Sequence, residues 1–220
     1  MIRFLDTLLS GVALVLLSPL LLAVMLVLRL TGEGEVFYRQ RRIGLNGKPF
    51  NLLKFATMLK NSPNIGAGLF TEQNDPRVLP FGAILRNTKI NELPQLLNVF
   101  LGDMSIIGPR PQAGPHFDLF PIHVRTTLMT VKPGLSGVGS IVFRDEEHIL
   151  WRQQDQERFY GEVIAPYKGE IECWFIANRS VSLYLKLIAL TVLSVLFPAS
   201  RSYRWFLRGL PTPPIELSGL

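Results

Sequence analysis

The sequence has almost no cysteine and none of the common metal-binding or nucleotide-binding motifs. Its single cysteine, Cys173, has no partner for an internal disulfide, which favours a reducing compartment for the soluble part of the chain. The three histidines form no HxxxH or HExxH pattern, so no zinc site is predicted. The glycine-rich stretch 133–139 lacks the spacing of a Walker lysine or of a dinucleotide-binding loop. These absences argue against zinc enzymes, P-loop enzymes and dinucleotide-dependent enzymes.

Charged residues are also absent from the N-terminal stretch 8–28. A run of this length meets the requirement of roughly 20 apolar residues for a helix that crosses a bilayer. No small-x-small cleavage site precedes Arg29, so we expect a retained membrane segment and not a signal peptide.

The pair Ser18-Pro19 lies in the middle of this apolar stretch. Pro19 lacks an amide hydrogen and its ring collides with the Val15 carbonyl, which predicts a break or kink. Ser18 can return a hydrogen bond to the carbonyl of Leu14. The residues leave two geometries open: a kinked helix that spans the bilayer, or a turn that returns both ends to the cytoplasmic face.

The formal net charge of +6 and a sequence pI near 9.7 favour an anionic partner. Nucleic acid, anionic lipid and a phosphorylated substrate all meet this condition, and charge alone does not separate them. Because either geometry brings the chain from residue 29 onward to the cytoplasmic membrane surface, we expect membrane lipid and a phosphorylated substrate as partners, and no nucleic acid.

The remaining pattern predicts an α+β fold, in which a small, mostly helical cytoplasmic domain follows an N-terminal membrane helix. Short strands are expected at 36–39 and 50–55 around the turn Asn46-Gly47, with helices near 90–100 and at 146–160 and a loop at 102–115. The apolar stretch 183–197 is short for a crossing, and the aromatic and basic residues after it suit interfacial amphipathic helices. A soluble helix with a solvated basic tail is the alternative. The predicted domains are 1–30, 31–182 and 183–220.

The segment 86–95 carries the strongest indication of chemistry. Proline is tolerated only in the first turn of a helix, so Pro94 predicts a helix start near residues 90–93, with Asn91 and Glu92 at that end. Free amides there, together with Arg86, suit a bound phosphate. The alternative is that Glu92 only complements the helix dipole.

Two further segments supply candidate charges. Arg110 lies between Pro109 and Pro111, whose restricted backbones present its guanidinium with little entropy left to lose on binding a phosphate. An ordinary rigid turn with an exposed arginine explains the pattern equally well. Asp145, in the acidic segment 144–147, can supply a catalytic or metal-binding carboxylate, or belong to an acidic cluster that starts a helix.

The chain resembles the bacterial sugar transferase family, whose members are monotopic phosphoglycosyl transferases that begin lipid-linked glycan assembly. The resemblance is carried by Ser18-Pro19, RIGLNGKPFNLLKF at 42–55, the stretch 74–111 and KPGLSGVGS at 132–140. Within it, ELPQLLNVFLGDMSIIGPRP at 92–111 is highly specific for the family.

This resemblance implies a UDP-sugar donor, a polyprenyl-phosphate acceptor and Mg²⁺, for which Glu92 is the expected ligand. It implies a re-entrant membrane helix that turns at Ser18-Pro19, with the catalytic domain on the cytoplasmic face of the bacterial inner membrane. Downstream glycosyltransferases are possible partners. Lys54, Arg86 and Arg110 match the basic positions around the substrate phosphates.

The sequence departs from the family pattern at two positions. The nucleophilic aspartate of the family falls on Asn91, and an arginine of its KFR motif falls on Ala56. An amide is a far weaker nucleophile than a carboxylate. Three explanations fit: a subgroup in which Glu92 or Asp145 attacks or activates the acceptor, an Asp-to-Asn form that holds substrate without turnover, or a binding protein or scaffold without chemistry. A basic membrane adaptor that binds anionic lipid is a further alternative.

Overall fold

The structure, a computed structural model, describes residues 1–65, 75–197 and 203–218. Within these residues it is a mixed fold in which helices dominate and the strands form two small two-stranded sheets. This confirms the predicted mixture of helix and strand. The first half of the chain contains α1 Ile2–Leu30, β1 Phe37–Ile43, β2 Pro49–Phe55, α2 Pro80–Asn87, α3 Gln95–Leu101 and β3 Ser105–Ile107. The second half contains α4 Gly114–Asp118, α5 Ile122–Leu128, β4 Gly134–Ser136, α6 Val138–Val142, α7 Glu146–Trp151, α8 Gln156–Phe159, α9 Ala165–Ala177, α10 Val181–Leu196 and α11 Tyr203–Phe206.

α1 is an apolar helix of 29 residues and, within the described ranges, the one helix long and apolar enough to cross a membrane. Its helical structure continues through Pro19. The Ser18 hydroxyl donates to the Val15 carbonyl at 2.8 Å, so the predicted partner Leu14 was wrong. The Val15 carbonyl is the group that an amide at position 19 would have bonded, and the serine therefore replaces the donor that proline removes.

The N-terminal end of α1 is fastened to the domain by polar contacts. The Arg3 guanidinium donates to the carbonyls of Val99 and Phe100, at the C-terminal end of α3. The buried Asp6 carboxylate accepts hydrogen bonds from the Ser105 hydroxyl at 2.9 Å and the Tyr184 hydroxyl at 2.8 Å. These contacts tie α1 to α3, β3 and α10.

The C-terminal end of α1 reaches the same domain through apolar packing. Val24 and Leu28 are buried in a cluster with Phe55 of β2 and Leu85 of α2. Between the two attached ends the helix is largely exposed. Val15 and Leu16 are 72% and 73% exposed, and several neighbouring apolar side chains are exposed to a smaller extent. An exposed apolar surface of this extent marks a contact with lipid or another apolar partner.

β1 and β2 form an antiparallel hairpin that confirms the two predicted strands, although β1 extends to Ile43. Asn46 and Gly47 have positive φ values of 56° and 72° in the 3₁₀ turn that joins the strands, as expected for an Asn-Gly turn. The register pairs Tyr38 with Lys54, which sets Lys54 near the end of β2.

The segment before α3 differs from the prediction. Residues Ile90–Glu92 form a 3₁₀ turn, and the α-helix begins only at Gln95, after Pro94 as its N-cap. Asn91 and Glu92 therefore lie in this turn and not in the first turn of the helix. Lys89 precedes the turn in the left-handed conformation, with φ 59°, which redirects the chain between α2 and the turn.

The predicted loop 102–115 contains a strand. β3 pairs in parallel with β4 through Ser105↔Gly134 and Ile107↔Ser136. The pairing brings Gly108 against Gly137, where a Cβ would lie 2.2 Å from the Gly108 carbonyl oxygen. A side chain at position 137 is therefore excluded, and the close approach of the two loops depends on glycine.

The largest core lies among the C-terminal helices, where Val124, Val138, Ile171 and Leu187 are buried together. The single helix predicted for 146–160 is divided into α7 and α8, because the Asp155 carboxylate caps a new helix by accepting from the Arg158 amide. α10 shares this core but exposes an apolar face that includes Leu185, Val192 and Leu196. Trp205 and Phe206 of α11 are exposed at 83% and 57%.

Candidate active site

Glu92 is the centre of a partly buried cluster of charges. Its Oε1 lies 3.0 Å from the Arg110 guanidinium and 3.8 Å from Lys54 Nζ, and the side chains of Glu92 and Lys54 are each 18% exposed. The structure thus brings together three of the predicted site residues from the 3₁₀ turn, β2 and the loop after β3.

Backbone contacts hold the loop that carries Arg110. The amide of Gly108 donates to the Ser136 carbonyl at 2.9 Å, and the amide of Gly134 donates to the Pro109 carbonyl at 2.8 Å. Because Pro109 and Pro111 also restrict the backbone on both sides, Arg110 is presented from a stiff support. The predicted rigid turn is present, and its arginine points into an ion pair instead of standing alone in solvent.

The ionisation of Glu92 and Lys54 reflects competition between burial and neighbouring charge. Burial raises the pKa of Glu92, but the positive charges of Arg110 and Lys54 outweigh it and lower the pKa to about 2. Burial lowers the pKa of Lys54 to about 8, against the raising effect of Glu92. Glu92 is therefore fully ionised at neutral pH, whereas Lys54 titrates just above it.

Further cations surround this centre. The charges of Arg110, Arg42 and Arg86 all lower the pKa of Lys54. Burial, followed by the charge of Arg110, lowers the pKa of Arg42 to about 10. Arg86 lies 3.7 Å from the Glu147 carboxylate. The site therefore concentrates positive charge around the partly buried Glu92 carboxylate.

Asn91 is buried beside Glu92, and its Oδ1 has no hydrogen-bond partner among the described residues. A buried carbonyl oxygen without a donor costs free energy, so its place beside Glu92 calls for a specific explanation. Ala56, the other departure from the family pattern, is buried at the end of β2, where its amide donates to the Val36 carbonyl. Its methyl group supplies no charge to the cluster.

Asp145 is separate from these contacts. It precedes α7 as the N-cap residue, where its backbone carbonyl accepts from the Ile149 amide at 3.1 Å. Its side chain is exposed and makes no hydrogen bond or ion pair with another described residue. The neighbouring carboxylates are the ones that pair with cations: Glu147 with Arg86, and Glu146 with Lys168. The role predicted for Asp145 stays a prediction.

Sequence reasoning did not assign Arg42, Lys168 or Glu172 to the site, and it considered Glu146 only as part of the acidic segment 144–147. Arg42, Glu146, Lys168 and Glu172 all act on the charges of the cluster or its loops. Lys168 and Glu172 are four residues apart on the buried face of α9. Two opposite charges at helical spacing within a largely apolar stretch are a sequence signal that could have identified them.

No group of three or more histidine, cysteine, aspartate or glutamate residues with the arrangement of a metal site occurs in the part of the chain that the structure describes. The oxygen atoms that the central cluster offers are those of Glu92 and Asn91. One or two protein oxygens together with substrate phosphates are a usual way for proteins to hold Mg²⁺. The residues present thus fit a magnesium ion held jointly with a substrate.

Comparison with known proteins identifies the relatives of this chain. The family model described as bacterial sugar transferase matches residues 1–198. The exopolysaccharide production protein ExoY of Rhizobium meliloti is 38% identical over 158 residues, which cover 66% of this chain and 70% of ExoY. The UDP-glucose:undecaprenyl-phosphate glucose-1-phosphate transferase of Escherichia coli is 37% identical over 173 residues, covering 77% of this chain and 36% of that protein.

A third relative carries the name of a different sugar. The UDP-N-acetylgalactosamine-undecaprenyl-phosphate N-acetylgalactosaminephosphotransferase of Aeromonas hydrophila is 33% identical over 196 residues, covering 88% of this chain and 43% of that protein. The chain thus spans most of ExoY but less than half of the length of the two named transferases.

Proposed function

This chain belongs to the bacterial sugar transferase family, and we propose that it moves a sugar 1-phosphate from a UDP-sugar to undecaprenyl phosphate. The products are UMP and a lipid diphosphate sugar, which downstream membrane glycosyltransferases would extend. The observation that carries the proposal is the partly buried Glu92 cluster, in which Lys54 and Arg110 contact one carboxylate and two further arginines lie close enough to shift the pKa of Lys54.

The charge of this cluster suits a diphosphate. Lys54, Arg110, Arg42 and Arg86 outnumber Glu92 and Glu147, so positive charge is left over for phosphate oxygens. Arginine guanidinium groups bind phosphate with two parallel hydrogen bonds, and partial burial strengthens each interaction. Burial disfavours the charged ammonium form of Lys54. The negative phosphates of a bound donor would stabilise this form by attraction.

The reaction that these residues support best is a direct transfer. An oxygen of the lipid phosphate attacks the phosphorus that carries the sugar, the bond between the two donor phosphates breaks, and UMP leaves with the electron pair. Asn91 offers only an amide, which is a poor nucleophile toward phosphorus. Glu92 is a poor nucleophile as well, because its pKa of about 2 makes it weakly basic and its Oε1 already contacts Arg110. In this reaction Lys54 and Arg110 stabilise the charge that builds up on the transferring phosphate.

Mg²⁺ would be held by the Glu92 carboxylate and the Asn91 Oδ1 together with the donor phosphates. The buried, unpartnered Oδ1 supports this assignment. When bound, the ion supplies neutralisation of the diphosphate charge.

The family and the long apolar α1 indicate association with a membrane. We propose that α1 is re-entrant, turns at Ser18-Pro19 and keeps the catalytic domain on the cytoplasmic face of the inner membrane. Both ends of α1 support this proposal, because Arg3 and Leu28 contact the same small domain, while the middle of the helix is exposed and apolar. A domain that lies on one side of a bilayer cannot contact both ends of a helix that crosses it.

Cysteine labelling tests this topology. In a Cys173→Ser background, Phe4→Cys and Leu30→Cys each place a thiol at an exposed position near one end of α1. We expect a membrane-impermeant maleimide to label both in inverted inner-membrane vesicles and neither in intact spheroplasts. Labelling of the two positions from opposite sides would show a spanning helix.

The proposed reaction is tested by UMP release from a panel of UDP-sugars, including UDP-glucose and UDP-N-acetylgalactosamine, with undecaprenyl phosphate and Mg²⁺. We expect UMP release with one donor. Arg110→Ala should lower the rate of UMP release at least tenfold, because a phosphate contact is removed. The matched Arg125→Ala should change this rate little, since Arg125 pairs with Asp118 at the surface. Vesicle binding that depends on salt, without UMP from any donor, would instead support the membrane adaptor.

Intact-protein mass spectrometry after donor alone separates direct transfer from covalent catalysis. Direct transfer predicts turnover without a phosphosugar adduct, whereas an adduct on Glu92 or Asp145 would refute it. Asn91→Asp restores a carboxylate and is expected to form the adduct. Activity that appears only in Asn91→Asp would show that the present chain binds its substrates without turnover.

A further inference from the structure

A cavity lies between the C-terminal end of α9, the first turns of α10, and α11 with the residues that follow it. Its volume is about 430 Å³, which is within the usual range of small-ligand pockets. The side chains that line it include two cations and three aromatic rings: Trp174, Asn178, Lys186, Trp205, Phe206 and Arg208. No residue of the Glu92 cluster lines this cavity, so the proposed reaction does not explain it.

The wall that α11 forms is fixed to the rest of the domain. Tyr203 and Leu207 are buried in the core of the C-terminal helices. The Tyr167 hydroxyl of α9 donates a hydrogen bond to the Pro211 carbonyl at 3.0 Å. Trp205, between the two buried residues in sequence, remains 83% exposed. The cavity is therefore a fixed feature of the fold, with an exposed aromatic ring at its rim.

The lining of the cavity has a net positive charge. Lys186 and Arg208 contribute two cations, and none of the described residues that line the cavity is acidic. Neither cation makes a salt bridge within the part of the chain that the structure describes. Two cations around one cavity repel each other, whereas an anion inside it is attracted by both. The charges of the lining thus fit an anionic group.

The start of α10 relates this cavity to the membrane helix. The Tyr184 hydroxyl donates to the Asp6 carboxylate at 2.8 Å, and the uncharged stretch of α1 begins two residues after Asp6. Lys186 follows Tyr184 by two residues, and Leu185 between them is 50% exposed. Tryptophan and basic side chains are typical of the headgroup level of a membrane. The start of α10 therefore lies at the level where α1 becomes apolar.

We propose that this cavity binds the headgroup of an anionic phospholipid. Lys186 and Arg208 bind the phosphate, and the aromatic rings pack against the glycerol and the first carbons of the acyl chains. The chains then extend over the exposed apolar face of α10, which includes Val192 and Leu196. A free phosphate ion would satisfy the two cations but leave the rings and this apolar face uncovered. The inference concerns a second site and does not depend on the proposed sugar transfer.

Quenching of tryptophan fluorescence by brominated lipids tests the site, because two of the three tryptophans, Trp174 and Trp205, line the cavity. In a Trp151→Phe background, the full chain in detergent is titrated with phosphatidylglycerol or phosphatidylcholine that carries brominated acyl chains. We expect phosphatidylglycerol to quench at the lower concentration. Lys186→Gln and Arg208→Gln should each weaken its binding by about fivefold, the effect of one basic side chain at an anionic membrane surface.

Arg204→Gln is the matched control, since Arg204 is an exposed arginine of α11 that does not line the cavity. This variant should bind phosphatidylglycerol like the parent chain. An equal loss in Arg204→Gln would overturn the proposal, because it would indicate diffuse attraction to a charged surface. Equal quenching by the two lipids in the parent chain would also overturn it. Inorganic phosphate, added at constant ionic strength, should leave the quenching unchanged, and reversal of the quenching would assign the cavity to free phosphate instead of lipid.

Discussion

Raising the pH is expected to discharge Lys54 and weaken donor binding. Burial lowers the pKa of Lys54 to about 8, and the charges of Arg110, Arg42 and Arg86 contribute to the lowering against the opposing effect of Glu92. A lysine loses its positive charge as the pH rises through its pKa. The cluster therefore has its full charge below pH 8 and one positive charge less above it.

The magnitude follows from the titration of a single group. For a pKa of about 8, the charged fraction of Lys54 falls from about nine-tenths at pH 7 to about one-tenth at pH 9. If UDP binds the charged form, its apparent Kd rises by about tenfold over this interval, or about 1.4 kcal/mol. The effect levels off at higher pH, where the phosphates of bound UDP have raised the pKa of Lys54 in the complex.

Calorimetric titration of UDP at several pH values between 7 and 9 measures this change. Lys54→Met removes the charge while keeping much of the length of the side chain, so it is expected to bind UDP weakly and with little pH dependence. Lys48→Met, on the exposed turn of the same hairpin, is the matched control and should keep the full pH profile. A constant Kd in the unmodified chain, or the same profile in Lys54→Met, would refute this account of the site.

Three further changes test other parts of the structure. Asp6→Ala removes the acceptor of the Ser105 and Tyr184 hydroxyls and should destabilise the protein by about 2–3 kcal/mol, as measured by thermal unfolding. A smaller loss of stability than in the control Asp118→Ala, at an exposed aspartate, would contradict the anchoring role of Asp6. Pro19→Leu removes the ring clash with the Val15 carbonyl and restores a backbone amide, which together favour a straight helix by about 3 kcal/mol, and labelling should then place part of the population in a spanning orientation. Asp145→Ala should retain UMP release within about twofold, and a larger loss would return this residue to the catalytic step.

Much of the fold follows from local sequence signals. The uncharged apolar run, the Asn46-Gly47 turn between β-prone stretches, and the short apolar periodicity after Pro94 each lie in one continuous piece of sequence, so composition, periodicity and turn chemistry detect them. The errors arose where one local group competes with another. The Asp155 cap divides a predicted helix, and the left-handed Lys89 with Pro94 delays the start of α3.

β3 and β4 were missed for a different reason. Each contains only three residues, and they pair in parallel across more than twenty-five residues of chain. A strand this short has no detectable alternation, and only the partner makes it a strand.

The sequence alone determined that this chain has an apolar N-terminal helix, a basic character and the specific motif 92–111, because these depend on residue type and spacing. It also identified Lys54, Glu92 and Arg110 as candidates, although their functional roles stay predictions. Only the tertiary structure decided that Lys54 and Arg110 meet at the Glu92 carboxylate and that Asp145 stands apart from it. Burial and charge coupling arise between elements distant in sequence, and no local pattern records them.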